Sequence, residues 1–157
     1  TATAAEKLRA QNSACQLITV WITTPPYQAQ QPQYRNQISI PLIYPSDSTI
    51  LLTKMAHRAL KQIWKPGFQY QKASVMLSKI QPKSALQIDL FAPEPLFSGN
   101  PKSDCLMQTV DRLNRQMGKQ TIQLASSGLQ NKNWKMNRRL MSPRYTTRWE
   151  DILKVQA

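Results

Sequence analysis

Cys15-Gln16-Leu17-Ile18-Thr19-Val20-Trp21-Ile22-Thr23 is the stretch that decides the fold. From Cys15 onward the pattern has a period of two. Ile18, Val20 and Ile22 point to one side and Thr19, Trp21 and Thr23 to the other, which predicts a strand with one apolar face. Before it, residues 1–11 (Thr-Ala-Thr-Ala-Ala-Glu-Lys-Leu-Arg-Ala-Gln) are strong helix formers, ended by Asn12-Ser13. After it, Pro25-Pro26 stops the strand and a Gln-rich loop runs from Gln28 to Gln37. Ile38, Ile40 and Leu42 then mark a second strand ending at Tyr44-Pro45. Pro41 cannot donate to a ladder, so this strand belongs at an edge or near its end there. Ser46-Asp47-Ser48 supplies an N-cap for a helix from about Thr49 to Lys65, with Leu52, Met55, Ala56, Ala59, Leu60 and Ile63 as its buried stripe. Pro66-Gly67 ends that helix. A third strand covers roughly Gln69 to Ile80, with Ala73, Val75 and Leu77 inward and Lys72, Ser74, Met76 and Ser78 outward. The order helix, strand, strand, helix, strand predicts an α+β sandwich. Both helices lie on one face of the sheet, and the open face carries short hydroxyl residues and a lysine.

Beyond this domain, Gln87-Ile88-Asp89-Leu90-Phe91 lies between Gln81-Pro82-Lys83-Ser84 and Ala92-Pro93-Glu94-Pro95. Flanking prolines favour an extended, accessible segment. A glutamine followed by an aliphatic and an aromatic anchor suits an apolar pocket with a polar rim. The pentapeptide resembles the Gln-Leu-x-Leu-Phe motif by which bacterial DNA polymerases tether to the sliding clamp. The competing reading is a short edge strand whose Leu90 and Phe91 pack back onto the domain. Farther on, Asp104 opens a predicted helix to Met117, with Leu106, Val110 and Leu113 in register. Gly118 ends it, Thr121 to Ala125 reads as a short strand, and Ser126-Ser127-Gly128 breaks that. Residues 129–157 have no clean period, but interleave Trp134, Tyr145 and Trp149 with a run of cations.

The 157 residues carry 21 Lys and Arg against 8 Asp and Glu, a net charge of +13. Such a surplus favours a polyanionic partner, with nucleic acid the first candidate. No apolar run approaches the roughly 18 residues needed to span a bilayer, and no signal-peptide pattern is present. Thr1 to Ala10 reads as the middle of a helix, so a piece of a longer protein is expected. Cys15 and Cys105 are far apart and His57 is the single histidine, a poor set for zinc. Both thiols read as core residues of a reduced, cytosolic protein.

Two-metal phosphoryl transfer needs clustered carboxylates. Here they are scattered, and the one adjacent pair, Glu150-Asp151, reads as a helix start or solvated turn. Glycines stand only at 67, 99, 118 and 128, so there is no phosphate loop. No nucleophile has a neighbouring base. This stretch is expected to catalyse nothing, to hold no metal and to need no cofactor. DNA binding has better support. Thr19, Thr23, Ser39, Lys72, Ser74 and Ser78 on the open face would offer sequence-independent contacts to phosphates. Lys54, Arg58, Lys61 and Lys65 form a basic stripe at helical spacing, for which a solvated face is the plainer account. In the tail, Lys135, Arg138, Arg139, Arg144, Tyr145 and Arg148 suit nucleic acid or a protein dock. The alternative is a capping segment whose Trp134 and Trp149 pack on the domain.

Several stretches in order carry a resemblance across essentially the whole chain. They are Ala4-Ala5-Glu6-Lys7-Leu8-Arg9, Ile63-Trp64, Tyr70-Gln71-Lys72-Ala73 through Val75-Met76-Leu77, the clamp-like peptide, Trp134-Lys135-Met136, and Met141-Ser142-Pro143-Arg144-Tyr145-Thr146-Thr147-Arg148-Trp149. Together they resemble the C-terminal part of UmuC-like Y-family translesion DNA polymerases. The resemblance implies a little-finger domain over residues 1–81, which grips the primer-template duplex through its sheet. It implies a linker over 82–101 with a clamp-binding peptide at Gln87, Ile88, Asp89, Leu90 and Phe91, and a small basic α/β extension over 102–157. Ile88 and Asp89 are mild departures from the motif. The family's little finger has a strand ahead of its first helix, and this chain opens inside that helix, so a sheet one strand short is expected. The implied partners are DNA, the sliding clamp, a processed UmuD dimer and RecA, in the bacterial cytoplasm at the nucleoid. Mg2+ would belong to the catalytic palm, which is not in this stretch. A stand-alone DNA-binding module and a non-catalytic scaffold for regulatory partners are the other functions in view.

Overall fold

The computed structural model describes residues 1–27, 31–85, 101–118, 121–127 and 142–153. Among the described residues, three α-helices and three strands make an α+β unit in the order α1 (Ala2–Ala10), β1 (Ser13–Thr23), β2 (Arg35–Ser46), α2 (Thr49–Ile63), β3 (Lys72–Pro82) and α3 (Pro101–Met117). The sheet is antiparallel in the order β2-β1-β3, so the stretch that opens the sequence reading is its central strand. The chain divides into two compact units, Thr1–Ser127 and Gly128–Ala157.

The alternation in β1 sorts its side chains as the sequence predicts. Ile18, Val20 and Ile22 are buried and meet Ala56, Ala59 and Ile63 of α2. A second cluster joins Ala5 and Leu8 of α1 to Cys15, Leu42 and Leu52. Leu77 of β3 packs against both clusters, so α1 and α2 cover the same face of the sheet. Cys15 reaches the core although its parity is that of Thr19. The ladder shifts register between Cys15 and Leu17, where Cys15 pairs with Ser46 but Leu17 pairs with Pro41. The pairing with β3 runs on unshifted there, Cys15 with Ile80 and Leu17 with Ser78, so the extra residues lie on β2. Pro41 stands at that break, on a strand bonded to β1 alone, which is where a residue without an N–H donor costs least.

Local chemistry sets the ends of the elements. Asn12 takes a positive φ of 49° between α1 and β1, a conformation Asn tolerates better than most residues. Helix α2 ends at Ile63, two residues before the expected end. Lys65 begins the Pro66-Gly67 turn instead, with Gly67 at φ 86°. The Tyr70 hydroxyl closes this turn, accepting from the Lys65 N–H at 3.0 Å and donating to its carbonyl at 2.9 Å.

The fold departs from the sequence reading in the region after β3. The helix expected from Asp104 to Met117 forms, opening at Pro101, in the same compact unit as the sheet. The expected stripe of α3, Leu106-Val110-Leu113, is turned partly outward. Leu106 is 50% exposed, while Met107 and Asp111 are the buried positions at 4% and 7%. The cause is Arg9 of α1. Its Nε and Nη2 donate to Asp111 Oδ2 and Oδ1 at 2.6 and 2.8 Å, and its Nη1 donates to the Asp47 carbonyl at 2.7 Å and to Thr49 Oγ1 at 2.9 Å. A planar guanidinium fixed in four bonds sets the rotation of α3 more strictly than a half-buried leucine can. Lys83, just after β3, adds an ion pair with Asp47 at 2.7 Å and a looser one with Asp104 at 3.9 Å.

The strand expected over residues 121–125 does not form. The Asn114 side chain takes the place of a neighbouring strand, accepting from the Ile122 N–H at 2.8 Å and donating to its carbonyl at 2.9 Å. A short 3-10 turn, Ala125–Ser127, follows. In the second unit, the Arg144 carbonyl accepts from the Thr147 and Arg148 N–H groups at 3.0 and 2.9 Å. Asp151 there accepts from the Arg144 N–H at 3.0 Å. Glu150-Asp151 thus sits in a short 3-10 turn, Trp149–Asp151, with both acids in its first turn.

Arg9→Ala leaves Asp111 buried without its partner and is expected to lower unfolding free energy by about 3–5 kcal/mol. Urea denaturation followed by circular dichroism checks this, and Arg9→Met with Asp111→Leu should regain most of the loss. The two thiols should also behave differently. Burial pushes the Cys15 thiol up to about 11, from an ordinary value near 9.0. Its folded-state value is the higher one, so the contribution is fully present below pH 9 and declines as pH rises from 9 to 11. A disulfide thiol reagent at pH 8 should modify exposed Cys105 rapidly and buried Cys15 only with unfolding.

Candidate nucleic-acid interface

With α1 and α2 on one face, the other face of the sheet is uncovered by any described helix, and the register arranges it in rows. Thr23 stands between Arg35 and Lys72, Trp21 between Gln37 and Ser74, Thr19 between Ser39 and Met76, and Leu17 between Pro41 and Ser78. All six residues named from the sequence (Thr19, Thr23, Ser39, Lys72, Ser74 and Ser78) therefore share one surface. They are not equivalent. Thr19 is only 6% exposed, and its hydroxyl is bonded to that of Ser39 at 2.8 Å. The Thr23 hydroxyl donates to the Thr24 carbonyl at 3.1 Å, so its proton is engaged within the fold.

Sequence reasoning missed Arg35 and Gln37 because it began the second strand at Ile38. Continuing the alternation Pro41-Ser39-Gln37-Arg35 backwards would have found both. Their side chains are exposed, and Arg35 with Lys72 puts two cations on either side of Thr23. This end of the face is a shallow depression of about 680 Å³ lined in part by Trp21, Thr23, Arg35, Gln71 and Lys72. None of the three strands contains an Asp or a Glu. The surface is thus positive, hydroxyl-rich and free of its own carboxylates, so an approaching phosphate meets donors and no like charge.

The basic stripe on α2 is on the other side of the molecule. Lys54, Arg58 and Lys61 are exposed, whereas Lys65 lies beyond the helix and holds its ammonium 5.1 Å from the Tyr34 ring centre. In the tail, Arg144, Tyr145 and Arg148 lie in the Ser142–Leu153 stretch, with Tyr145 49% and Trp149 88% exposed. Lys135, Arg138, Arg139 and Trp134 lie outside the described residues, as do Gln87, Ile88, Asp89, Leu90 and Phe91. Among the described residues no group of three or more His, Cys, Asp or Glu is placed to hold a metal ion, and no helix is long and apolar enough to cross a membrane.

Comparison with known proteins gives this surface its context. Residues 1–90 match the model of the impB/mucB/samB family C-terminal domain, more than half of the chain. The chain belongs to that family. Residues 104–155 match a second model, described as "Domain of unknown function (DUF4113)". Family members similar to the chain include "Protein UmuC" of Salmonella typhimurium, 36% identical over 155 residues that cover 99% of the chain and 36% of the relative. "Protein SamB" of Salmonella typhimurium is 39% identical over 149 residues, 95% of the chain and 34% of the relative. "Protein MucB" of Escherichia coli is 39% identical over 152 residues, 96% of the chain and 34% of the relative. The chain thus spans about a third of the length of these relatives, and it corresponds to the C-terminal part of a UmuC-like protein. No solved structure matches the chain significantly. The family models also bear on α3: from residue 104 on it lies in the stretch matched by the second model, yet Asp111 pairs with Arg9 of the stretch matched by the first.

Proposed function

We propose that this chain is the DNA-gripping and clamp-tethering C-terminal region of a UmuC-like translesion DNA polymerase acting in SOS repair and mutagenesis in the bacterial cytoplasm. It carries no catalytic centre of its own. The observation that carries this reading is the acid-free open face of the sheet, with Arg35, Thr23 and Lys72 in one row across it. Such a surface holds a duplex by its phosphates and leaves sequence unread, which suits an enzyme that must advance over any template. The division into residues 1–81, 82–101 and 102–157 belongs to this proposal. Within it the peptide 87–91 anchors the sliding clamp and raises the local concentration of the polymerase at the primer end. Residues 102–157 serve the regulatory partners, a processed UmuD dimer and RecA. One observation favours the scaffold reading for the tail: Trp149 and Leu153 are 88% and 77% exposed, the kind of anchors that protein interfaces bury.

Arg35→Gln with Lys72→Gln changes two exposed residues, so stability should stay within about 0.5 kcal/mol. Duplex affinity should fall, and the slope of log K against log salt should shrink by about 2 in fluorescence anisotropy, one phosphate contact per cation removed. An unchanged slope would remove the sheet face from DNA binding. Separately, Leu90→Ala with Phe91→Ala should weaken binding to purified sliding clamp by about 2 kcal/mol or more in calorimetry. Wild-type protein that ignores the clamp would assign the peptide to packing.

A further inference from the structure

The outer face of α2 is the second positive surface of the domain, and the sheet face cannot share its ligand. Leu52, Ala56, Ala59 and Ile63 are the buried positions of α2 and turn toward the sheet. The positions opposite them are Lys54, His57, Arg58 and Lys61, all exposed. At 100° per residue Lys54 and Lys61 fall on one line, about 10 Å apart along the axis. The helix contains no acid. Arg9 and Lys83 pair with Asp47, Asp104 and Asp111. Among the described residues no carboxylate pairs with its cations. Immediately after the helix stands Trp64, 54% exposed, a large aromatic left open at the end of a cationic line.

A line of cations that ends in an exposed indole matches the chemistry of a single strand, whose phosphates track the charges and whose unpaired bases offer a face to stack. A duplex keeps its bases stacked on one another and would have no use for Trp64. We infer that the outer face of α2 binds single-stranded nucleic acid, with Lys54, Arg58 and Lys61 on successive phosphates and Trp64 under a base. The site is independent of the duplex-binding reading. Sheet and helix are back-to-back layers, so one molecule of this domain can hold a duplex on one side and an unpaired strand on the other.

The test uses the full 157-residue chain, a fluorescein-labelled oligothymidine and a labelled duplex of equal length, each titrated at several salt concentrations. Lys54→Gln, Arg58→Gln and Lys61→Gln together should lower the single-strand salt slope by about 2, from three contacts of about 0.7 each, while the duplex slope stays. Trp64→Ala should weaken single-strand binding at an unchanged slope, by about tenfold or more if stacking is worth 1–3 kcal/mol. The charge-matched control Lys7→Gln, Lys79→Gln and Arg112→Gln should leave both slopes nearly alone. Equal losses in that control would reduce the effect to net charge and overturn the site. So would full single-strand binding in the α2 triple variant. Displacement of the oligothymidine by polyglutamate of equal charge, as effective as by unlabelled oligothymidine, would also overturn it, in favour of an acidic protein. The variant Arg35→Gln with Lys72→Gln separates the two readings: it should lose duplex affinity and keep the α2-dependent single-strand signal.

Discussion

Strand β1 is bonded along both edges, and this double pairing is the constraint on which the rest of the unit rests. A central strand fixes the register of two neighbours at once, so its alternation is imposed on the whole sheet. Ile18, Val20 and Ile22 bring Ile38, Ile40, Val75 and Leu77 into a single apolar layer under α2. By the same geometry Thr19 and Thr23 bring Ser39, Arg35, Met76 and Lys72 onto the other side. A slip of one residue on either edge would exchange the two sets and destroy the core and the hydroxyl-rich face together.

A second constraint ties the helices to one another. Arg9 of α1 bonds both to the start of α2 and to α3, in every case at less than 3 Å. A buried guanidinium between elements is costly to desolvate, and it is tolerated here because Asp111 answers it with both oxygens. The same arrangement gathers Asp47, Asp104 and Asp111 on the helical side with Arg9 and Lys83. Carboxylates are few in this chain, and pairing them there leaves the sheet face and the outer face of α2 positive. Architecture and electrostatics are therefore one arrangement in this protein.

That arrangement gives the family's C-terminal region a positional character. The described residues hold no carboxylate cluster for metal-assisted chemistry. They present surfaces instead: a hydroxyl-rich sheet, a cationic helix face and a tail with exposed aromatic residues. Surfaces of this type set where a charged ligand lies and how salt weakens its hold.

The sequence by itself determined the three strands, the three helices and the two faces of the sheet, because period-two and period-3.6 patterns report burial directly. It also placed six hydroxyl and lysine residues on one surface, since parity along a strand is a local property. Where a strand begins is marked more weakly: Arg35 and Gln37 carry no apolar signal, and only the alternation run backwards from Pro41 reaches them. The rotation of α3 was decided by tertiary structure alone. Leucines at 106 and 113 and valine at 110 outline an apolar stripe that Arg9, 102 residues away from Asp111, overrides with a pair of ionic hydrogen bonds. In the same way the Asn114 carboxamide captured the Ile122 backbone and left residues 121–125 without a strand. Pattern reading reports how residues divide between water and core. A single long-range polar bond, made between particular atoms, leaves no periodicity to read.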